Sequence, residues 1–111
     1  MRQYTTPNQT AKLIELGFEM PKYECLDKTL RGVERWNNIQ NNYSIGELIE
    51  LLPKHIYLDS MCLDLYIHAN QHLWMVKYSG LFCKKFYRFC SRELADALYD
   101  MVVKLKDEEV I

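Results

Sequence analysis

Three residues near the middle of the chain have the types and spacing of metal ligands. His68 and His72 are four residues apart, and Asp64 precedes His68 by four. On a helix, this spacing would place the three side chains on one face, where they could hold a metal ion. The surrounding residues instead alternate between apolar and polar, which indicates a strand followed by a turn. We therefore predict solvated histidines beside a loop, and no metal site.

The cysteines offer a second kind of chemistry, that of the thiol group. None of the four forms a C-x-x-C pair, and no local signature supports a thiol–imidazole pair of Cys83 or Cys90 with His55 or His72. Because cysteine is among the most buried residue types, we expect Cys83 and Cys90 in the core. The sequence also lacks a glycine-rich phosphate loop and a convergent pair of carboxylates. We predict no catalytic residue and no cofactor, which disfavours an enzyme.

Two surfaces remain as candidates for binding. Cations and aromatic residues interleave near the end of the chain, at Lys84, Lys85, Tyr87, Arg88 and Arg92. Aromatic rings can stack on bases while cations follow phosphates, so this segment predicts single-stranded nucleic-acid binding as the alternative function. The other reading is a strand or loop whose aromatic residues fill the core.

The second candidate surface follows from a predicted β-hairpin at about residues 61–78. A tight turn at Asn70 and Gln71 would place Leu65 opposite Val76 on an inner face. The same register pairs Tyr66 with Met75 and Asp64 with Lys77 on the outer face, the latter as an ion pair. If no helix covers that face, these four outer residues form a binding surface for a protein partner or for a second copy of the chain.

Length and composition limit the remaining classes. The chain has 111 residues, of which 49% are apolar and 26% charged, with a net charge of −1. These values fit a single globular domain over residues 1–111, and the near-neutral charge disfavours a dedicated nucleic-acid-binding protein. The sequence has no apolar run of about 18 residues or more and no secretory signal. We expect a cytoplasmic protein with reduced cysteines and no membrane partner.

Helix signals surround the hairpin. The final segment, residues 91–106, has apolar residues at helical spacing, with Ser91 as a candidate N-cap and Asp100 and Lys104 as an i,i+4 pair. Thr6 and Ser44 each begin a capping box, which predicts helices from Pro7 to near Gly17 and from residue 45 to Pro53. Residues 81–89 form either a third strand or a loop. For residues 22–42 we predict an irregular segment with a short strand.

Three stretches also carry a resemblance. Residues 4–18 (YTTPNQTAKLIELGF), 43–53 (YSIGELIELLP) and 93–111 (ELADALYDMVVKLKDEEVI) resemble small proteins of Bacteroides-type gut bacteria and their prophages or mobile elements. The resemblance extends to the strand around Trp74 but not to residues 22–42 and 81–90. It implies a setting and no established activity, so no site residue follows from it.

These observations together predict an α+β fold. A small antiparallel sheet, built on the hairpin and an optional third strand, would be packed by about three helices, of which the C-terminal helix is the longest. For function we expect a small non-enzymatic accessory protein that binds another protein through the outer face of the hairpin.

Overall fold

The computed structural model describes residues 2–21, 24–25, 40–58, 61–80 and 87–111. Within these ranges the chain forms three helices, α1 (Pro7–Glu15), α2 (Ile45–Leu51) and α3 (Leu94–Asp107). Strands β1 (Glu24–Cys25) and β2 (Gln40–Asn41) pair with each other; β3 (His55–Leu58), β4 (Met61–Ala69), β5 (Trp74–Ser79) and β6 (Tyr87–Ser91) form an antiparallel meander in that order. The predicted α+β fold, with the C-terminal helix the longest, is confirmed.

The predicted hairpin exists, but its turn is longer than expected. Residues 70–73 form a four-residue loop, in which the N–H of Asn70 donates to the carbonyl of Leu73 at 2.7 Å. The Asn70 side chain accepts from the N–H of Gln71, also at 2.7 Å. The predicted two-residue turn at Asn70 and Gln71 is therefore wrong, and every cross-strand pair shifts by two residues.

A shift of two residues changes partners without changing faces, because side chains along a strand alternate with a period of two. Val76 lies opposite Ile67, and Leu65 lies opposite Tyr78, so the predicted pairing of Leu65 with Val76 is wrong. All four of these side chains nevertheless point to the inner face. Val76 and Tyr78 have no exposed surface, while Leu65 and Ile67 are half-buried against the core.

Helix α3 supplies most of the layer that covers this inner face. Its buried residues recur at helical spacing and include Leu98, Met101, Val102 and Leu105, each with no exposed surface. Full burial of such a side chain contributes about 1.5–3 kcal/mol, so this stripe is a major source of stability. Leu13 of α1 and Leu48 of α2 belong to the same buried cluster as α3 and the inner face of the sheet.

The start of α3 differs from the prediction. Ser91 pairs with Trp74 as the last residue of β6, and its hydroxyl accepts from the N–H of Glu93 at 3.1 Å instead of capping a helix. Glu93 occupies the N-cap position without a side-chain cap, since its carboxylate accepts from the N–H of Arg2 at 2.7 Å. The strand pairing of Ser91 therefore delays the helix to Leu94.

The predicted ion pair within α3 also has a different partner. Lys104 forms an i,i+4 ion pair with Glu108 at 2.8 Å, and the expected pair of Asp100 with Lys104 is absent from the ion pairs of the described residues. Burial and the neighbouring charge of Asp96 raise the pKa of Asp100.

The capping predictions for the first two helices are confirmed. Thr6 with Gln9 and Ser44 with Glu47 form complete capping boxes, so that each helix begins where two backbone donors receive side-chain partners. Gly17 ends α1 with a φ of 99°, a conformation that glycine adopts without a steric penalty. The N–H of Phe18 then donates to the carbonyl of Leu13 at 3.2 Å, the backbone closure expected of this helix end.

The N-terminal segment ties these helices together through polar contacts. The Arg2 guanidinium binds the carboxylate of Asp96 in α3, which also accepts from the side-chain amide of Gln9 at 2.7 Å. Thr5 is buried, and its hydroxyl lies 2.7 Å from that of Thr10. Since each of these polar groups has a partner, the N-terminal segment can be buried without a large desolvation penalty.

Two predictions fall largely beyond the described ranges. The third strand predicted over residues 81–89 is present as β6 from Tyr87 onward, whereas residues 81–86 lie outside the described residues. The irregular segment at 22–42 is described only at β1, at β2 and at its last residue, Asn42. Among the helices of the described ranges, none has the length and apolar character needed to cross a lipid bilayer.

Candidate functional site

The outer face of the four-stranded sheet, opposite the helices, carries both of the thiols and two of the histidines that the structure describes. We define it by the residues that point away from the core: His55, Tyr57, Cys62, Asp64, Tyr66, His68, Met75, Lys77, Ser79, Arg88 and Cys90. Tyr57 is 75% exposed and Tyr66 is 42% exposed. A face with large aromatic side chains in contact with solvent is characteristic of a binding surface.

The middle of the outer face is a row of three side chains on neighbouring strands. Tyr66 lies opposite Lys77, and Lys77 lies opposite Arg88. The Lys77 ammonium is 5.7 Å from the centre of the Tyr66 ring, within the range of a cation–π contact. The His68 ring stacks beside Tyr66, with ring centres 5.9 Å apart and planes at 18°. This row combines aromatic rings with positive charge.

The four predicted partner-binding residues all lie on this face, but two predicted pairings among them are wrong. Tyr66 is diagonal to Met75, because the register places His68 opposite Met75. Asp64 lies opposite Ser79 and pairs with His55, so that the predicted ion pair of Asp64 with Lys77 does not form. Diagonal side chains on a sheet are about 7–8 Å apart, which still lets Tyr66 and Met75 contribute to one surface.

The corner of the outer face at β3 and β4 brings together three residues with metal-binding side chains. The His55 Nδ1 lies 2.6 Å from a carboxylate oxygen of Asp64, and the Cys62 thiol donates to the same oxygen at 3.8 Å. One ligand atom from each residue falls within 4.8 Å of the others. His55 and Cys62 are exposed, and Asp64 is half-buried.

Sequence reasoning did not predict this corner, because it did not predict β3. The segment after Pro53 has the strand-like alternation His55, Ile56, Tyr57, in which the middle residue is buried and its neighbours are exposed. That alternation was the available signal, but four residues are too few to define a period clearly. His68 lies on β4 and His72 in the loop after it, so the strand and turn predicted for these histidines are confirmed.

The residues of the predicted nucleic-acid segment divide between the two faces of the sheet. Tyr87 points inward, and its hydroxyl donates to the carboxylate of Glu108, which raises the pKa of Tyr87 to about 12. Arg88 is on the outer face and Arg92 is exposed beyond the end of β6. Lys84 and Lys85 lie outside the described residues. The segment is therefore not one continuous binding surface in its described part.

The thiols that the structure describes are not in the core. Cys62 and Cys90 are both free and exposed on the outer face, so the prediction that Cys90 is buried is wrong. The strand alternation sets this outcome, because Phe89 takes the inward position and Cys90 follows it. Cys83 lies outside the described residues.

The buried hydroxyl groups have structural roles. The Tyr78 hydroxyl donates to the carbonyl of Pro53 at 2.6 Å, and burial raises the pKa of Tyr78. The Tyr43 hydroxyl donates to the carbonyl of Glu19, and burial again raises the pKa. Tyr78 thereby connects β5 to the segment after α2, and Tyr43 connects the segment before α2 to the segment after α1. Both side chains lie in the core, away from the outer face.

Comparisons of this chain with protein-family models, with curated proteins and with solved structures returned no match. The function must therefore be argued from the residues of the outer face, because a fold alone does not define an activity.

Proposed function

We propose that this protein is a small non-enzymatic interaction protein whose outer sheet face binds a second copy of the same chain. The observation that carries the proposal is the contrast across β4: Leu63 has no exposed surface, while Tyr66 on the opposite face is 42% exposed. The neighbouring Tyr57 on β3 is 75% exposed. Burial of such aromatic surface against a partner lowers the free energy, because it removes apolar area from water.

The composition of the outer face supports a protein partner. Protein interfaces are enriched in tyrosine, methionine and arginine and depleted in lysine and acidic residues. The face has two tyrosines, a methionine and an arginine, against one lysine and one aspartate. The centre of the face, at Tyr66 and Met75, offers apolar side chains to a partner, and the more exposed Tyr57 lies on the neighbouring edge strand.

Charge complementarity favours a second copy as the occupant. Asp64 lies near one end of the outer face, and Lys77 lies one strand away toward the other end. A two-fold axis in the plane of the face, placed between these two residues, brings each Asp64 against Lys77 of the partner subunit. Symmetric dimers require a surface that complements itself in this way.

The size of the face predicts a weak and reversible dimer. Strands about 4.8 Å apart and residues about 3.4 Å apart make the face at most about 19 Å by 30 Å. The contact would then bury roughly 800–1,200 Å² in total, the lower end of the range for specific interfaces. We expect a dissociation constant in the micromolar range, so that concentration decides the oligomeric state.

The test is the molecular mass in solution as a function of concentration. Sedimentation equilibrium should show a monomer–dimer equilibrium, and replacing both Tyr66 and Met75 by serine should weaken dimerisation at least tenfold while circular dichroism stays unchanged. Ile14→Ser is the matched control, because Ile14 is 38% exposed on α1, away from the outer face. This control should dimerise like the unmodified chain.

A monomeric mass at all concentrations would reject the second copy as the occupant. If the monomer instead recovered a specific protein that the Tyr66/Met75 double variant lost, the outer face would bind a different partner. The cytoplasmic location and the phage or mobile-element setting are part of the proposal. They rest on the reduced thiols and on the sequence resemblance.

A second candidate function is binding of single-stranded nucleic acid on the same face. The observation that favours it is the row of Tyr66, Lys77 and Arg88, which places an aromatic ring beside two cations on adjacent strands. Such a row can stack a base and contact phosphates. Fluorescence anisotropy with a labelled oligonucleotide should then show binding that weakens with salt. The logarithm of the association constant should fall with the logarithm of the salt concentration, with a slope of about −0.7 for each phosphate neutralised. Lys77→Gln should reduce that slope, and Lys12→Gln on α1 should not.

A further inference from the structure

We propose that His55, Cys62 and Asp64 form a binding site for a zinc-like divalent cation. The site lies at the β3–β4 corner of the outer face. It does not rest on the dimer proposed above, because all three ligands come from one chain, although the two proposals share Asp64.

The backbone holds the three side chains in place. His55 lies directly opposite Asp64 in the β3–β4 register, and Cys62 precedes Asp64 by two residues on β4. Residues that are opposite each other or two apart on one strand point to the same face of a sheet. The hydrogen-bonded strands thus fix the three Cα positions. Ligands on flexible loops would instead lose conformational entropy when they gather around a metal ion.

The distances between the ligand atoms are close to those of a tetrahedral metal centre. Zinc bonds of about 2.0–2.3 Å place ligand atoms roughly 3.3–3.7 Å apart in tetrahedral geometry. The His55 nitrogen and the Asp64 oxygen are 2.6 Å apart, and the Cys62 sulfur is 3.8 Å from that oxygen. A cation bonded to all three atoms requires the His–Asp contact to open by less than about 1 Å. It also requires the ligand atoms of His55 and Cys62, which lie within 4.8 Å of each other, to come to a similar separation. Side-chain rotations can supply both changes.

The donor types select the class of metal. One imidazole nitrogen, one thiol sulfur and one carboxylate oxygen suit zinc or cobalt, whereas magnesium and calcium prefer oxygen ligands alone. Three protein ligands leave the fourth position to water. Because His55 and Asp64 are 58% and 47% exposed as side chains, a cation can reach the site without any opening of the fold.

The metal would also explain the residue types at this corner. Without it, His55 and Asp64 form a hydrogen bond beside an exposed thiol, and an exposed contact of that kind contributes little to stability. With it, the three groups act together, since the thiol must lose its proton to bind and the metal replaces that proton. Metal binding should therefore release protons into the buffer.

The test uses cobalt(II) and zinc(II) added to the full chain under a non-chelating reductant. We expect one equivalent of cobalt to give visible d–d bands of a tetrahedral site, together with a near-ultraviolet band from a thiolate–cobalt bond. Zinc should displace cobalt and abolish both bands. Cys62→Ser should remove the thiolate band and lower zinc affinity at least tenfold, and His55→Ala should lower zinc affinity to a similar extent.

The outer face supplies a matched control for each variant. Cys90→Ser removes the other exposed thiol of the described residues, and His68→Ala removes a histidine from the same face. Both controls should bind cobalt and zinc like the unmodified chain. Equal losses in Cys62→Ser and Cys90→Ser, or no stoichiometric thiolate band in the unmodified chain, would overturn the proposal.

Alkylation of the unmodified chain tests the site without any substitution. With iodoacetamide and peptide mass mapping, zinc should slow modification of Cys62 at least fivefold and leave Cys90 unchanged. Equal rates with and without zinc would also reject the site. The mass of the protein, measured with and without zinc, separates this result from the dimer: a monomer that protects Cys62 supports the metal site alone.

Discussion

The two faces of the four-stranded sheet are made by the same strands but serve different purposes. On β4, Leu63 has no exposed surface and packs in the core, whereas Cys62, one residue earlier, is an exposed free thiol. Helix α3 covers the inner face with leucine, methionine and valine. The outer face carries histidine and cysteine side chains, and a change of residue type there has little effect on core packing.

Because of this contrast, substitutions on the inner face should change stability, and substitutions on the outer face should change binding with little effect on stability. Removal of an inward side chain leaves a cavity in a close-packed interior, whereas the space left by an outward side chain is filled by solvent. The same one-residue alternation that separates the faces also places His55, Asp64 and Cys62 on the side that ligands can reach.

Leu63→Ala should destabilise the protein by about 3 kcal/mol, within the range of 2–5 kcal/mol for large-to-small core substitutions. Tyr66→Ala, three residues later on the outer face, should cost less than about 1 kcal/mol. Urea unfolding at a concentration where the protein is monomeric measures both. Equal losses from the two variants would break the distinction between the faces.

Gly80→Ala should destabilise by about 2 kcal/mol, because an added methyl group has no space at the end of β5. A Cβ at this position would lie 2.5 Å from the carbonyl oxygen of Cys62 and 3.3 Å from a methyl carbon of Leu63. Gly46→Ala is the control, since its nearest contact would be the Ser44 hydroxyl at 3.8 Å inside α2. There we expect a gain of about 0.5–1 kcal/mol from helix propensity.

A neutral Gly80→Ala variant would contradict the close approach of this position to β4, and a destabilised Gly46→Ala variant would contradict the open space at Gly46. Thermal unfolding of both variants under the same conditions gives this comparison directly. The result bears on both faces, because a methyl group at Gly80 would meet the backbone of Cys62 and the side chain of Leu63, one residue from each face.

Tyr78→Phe should change the alkaline limit of stability. Burial raises the pKa of Tyr78 above its ordinary value of 10.0, so the hydroxyl keeps its proton in the folded state after it ionises in the unfolded state. The neutral hydroxyl thus contributes stability that is fully present below pH 10 and declines as pH rises further. Unfolding free energies measured at pH 8 to 11 should fall less steeply in the variant.

The same variant should lose about 1 kcal/mol at neutral pH, since the carbonyl of Pro53 loses its donor from Tyr78. An unchanged slope above pH 10 would mean that the inward ring is accessible to water. In that case the inner face would not be the dry side of the sheet.

Asp100→Asn should give the smallest effect, a gain of about 0.2–0.5 kcal/mol at neutral pH, the size of a like-charge i,i+4 contact on a helix. Burial and the charge of Asp96 raise the pKa of Asp100, so its carboxylate is unfavourable in the folded state once it has ionised. The gain should therefore disappear as pH falls and the carboxyl is protonated in both states. Urea unfolding at pH 7 and pH 3 tests the sign, and a loss at pH 7 would contradict it.

Much of the fold could be predicted because the rules that form it are local. Thr6 with Gln9 and Ser44 with Glu47 define two helix starts within four residues each. The two faces of the hairpin were also predictable, since alternation alone assigns Val76 inward and Tyr66 outward. None of these inferences requires knowledge of how distant parts of the chain pack.

The register and the start of α3 could not be predicted for the same physical reason. Turns of two and four residues give identical faces, so the apolar pattern does not choose between them. Ser91 is a residue type that often caps helices, but here it is the last residue of β6 and pairs with Trp74 of β5. Both outcomes depend on contacts between strands that are distant in sequence.

The candidate sites divide along the same line. The four outer residues of the hairpin were placed on the correct face, because that required only alternation. The His55, Cys62 and Asp64 corner was missed, since it exists only when the short strand β3 pairs with β4. A cluster assembled across strands leaves no spacing signature in the sequence.

The contacts of Arg2 and Gln9 with Asp96 have a consequence for how the chain is made. Asp96 lies 94 residues after Arg2 and 87 residues after Gln9, so the N-terminal segment can dock on α3 only after α3 has been synthesised. Closing a loop of that length carries an entropic cost, so these contacts should form late in folding. Synthesis of α3, rather than of any earlier segment, should therefore be the step after which the N-terminal segment can dock.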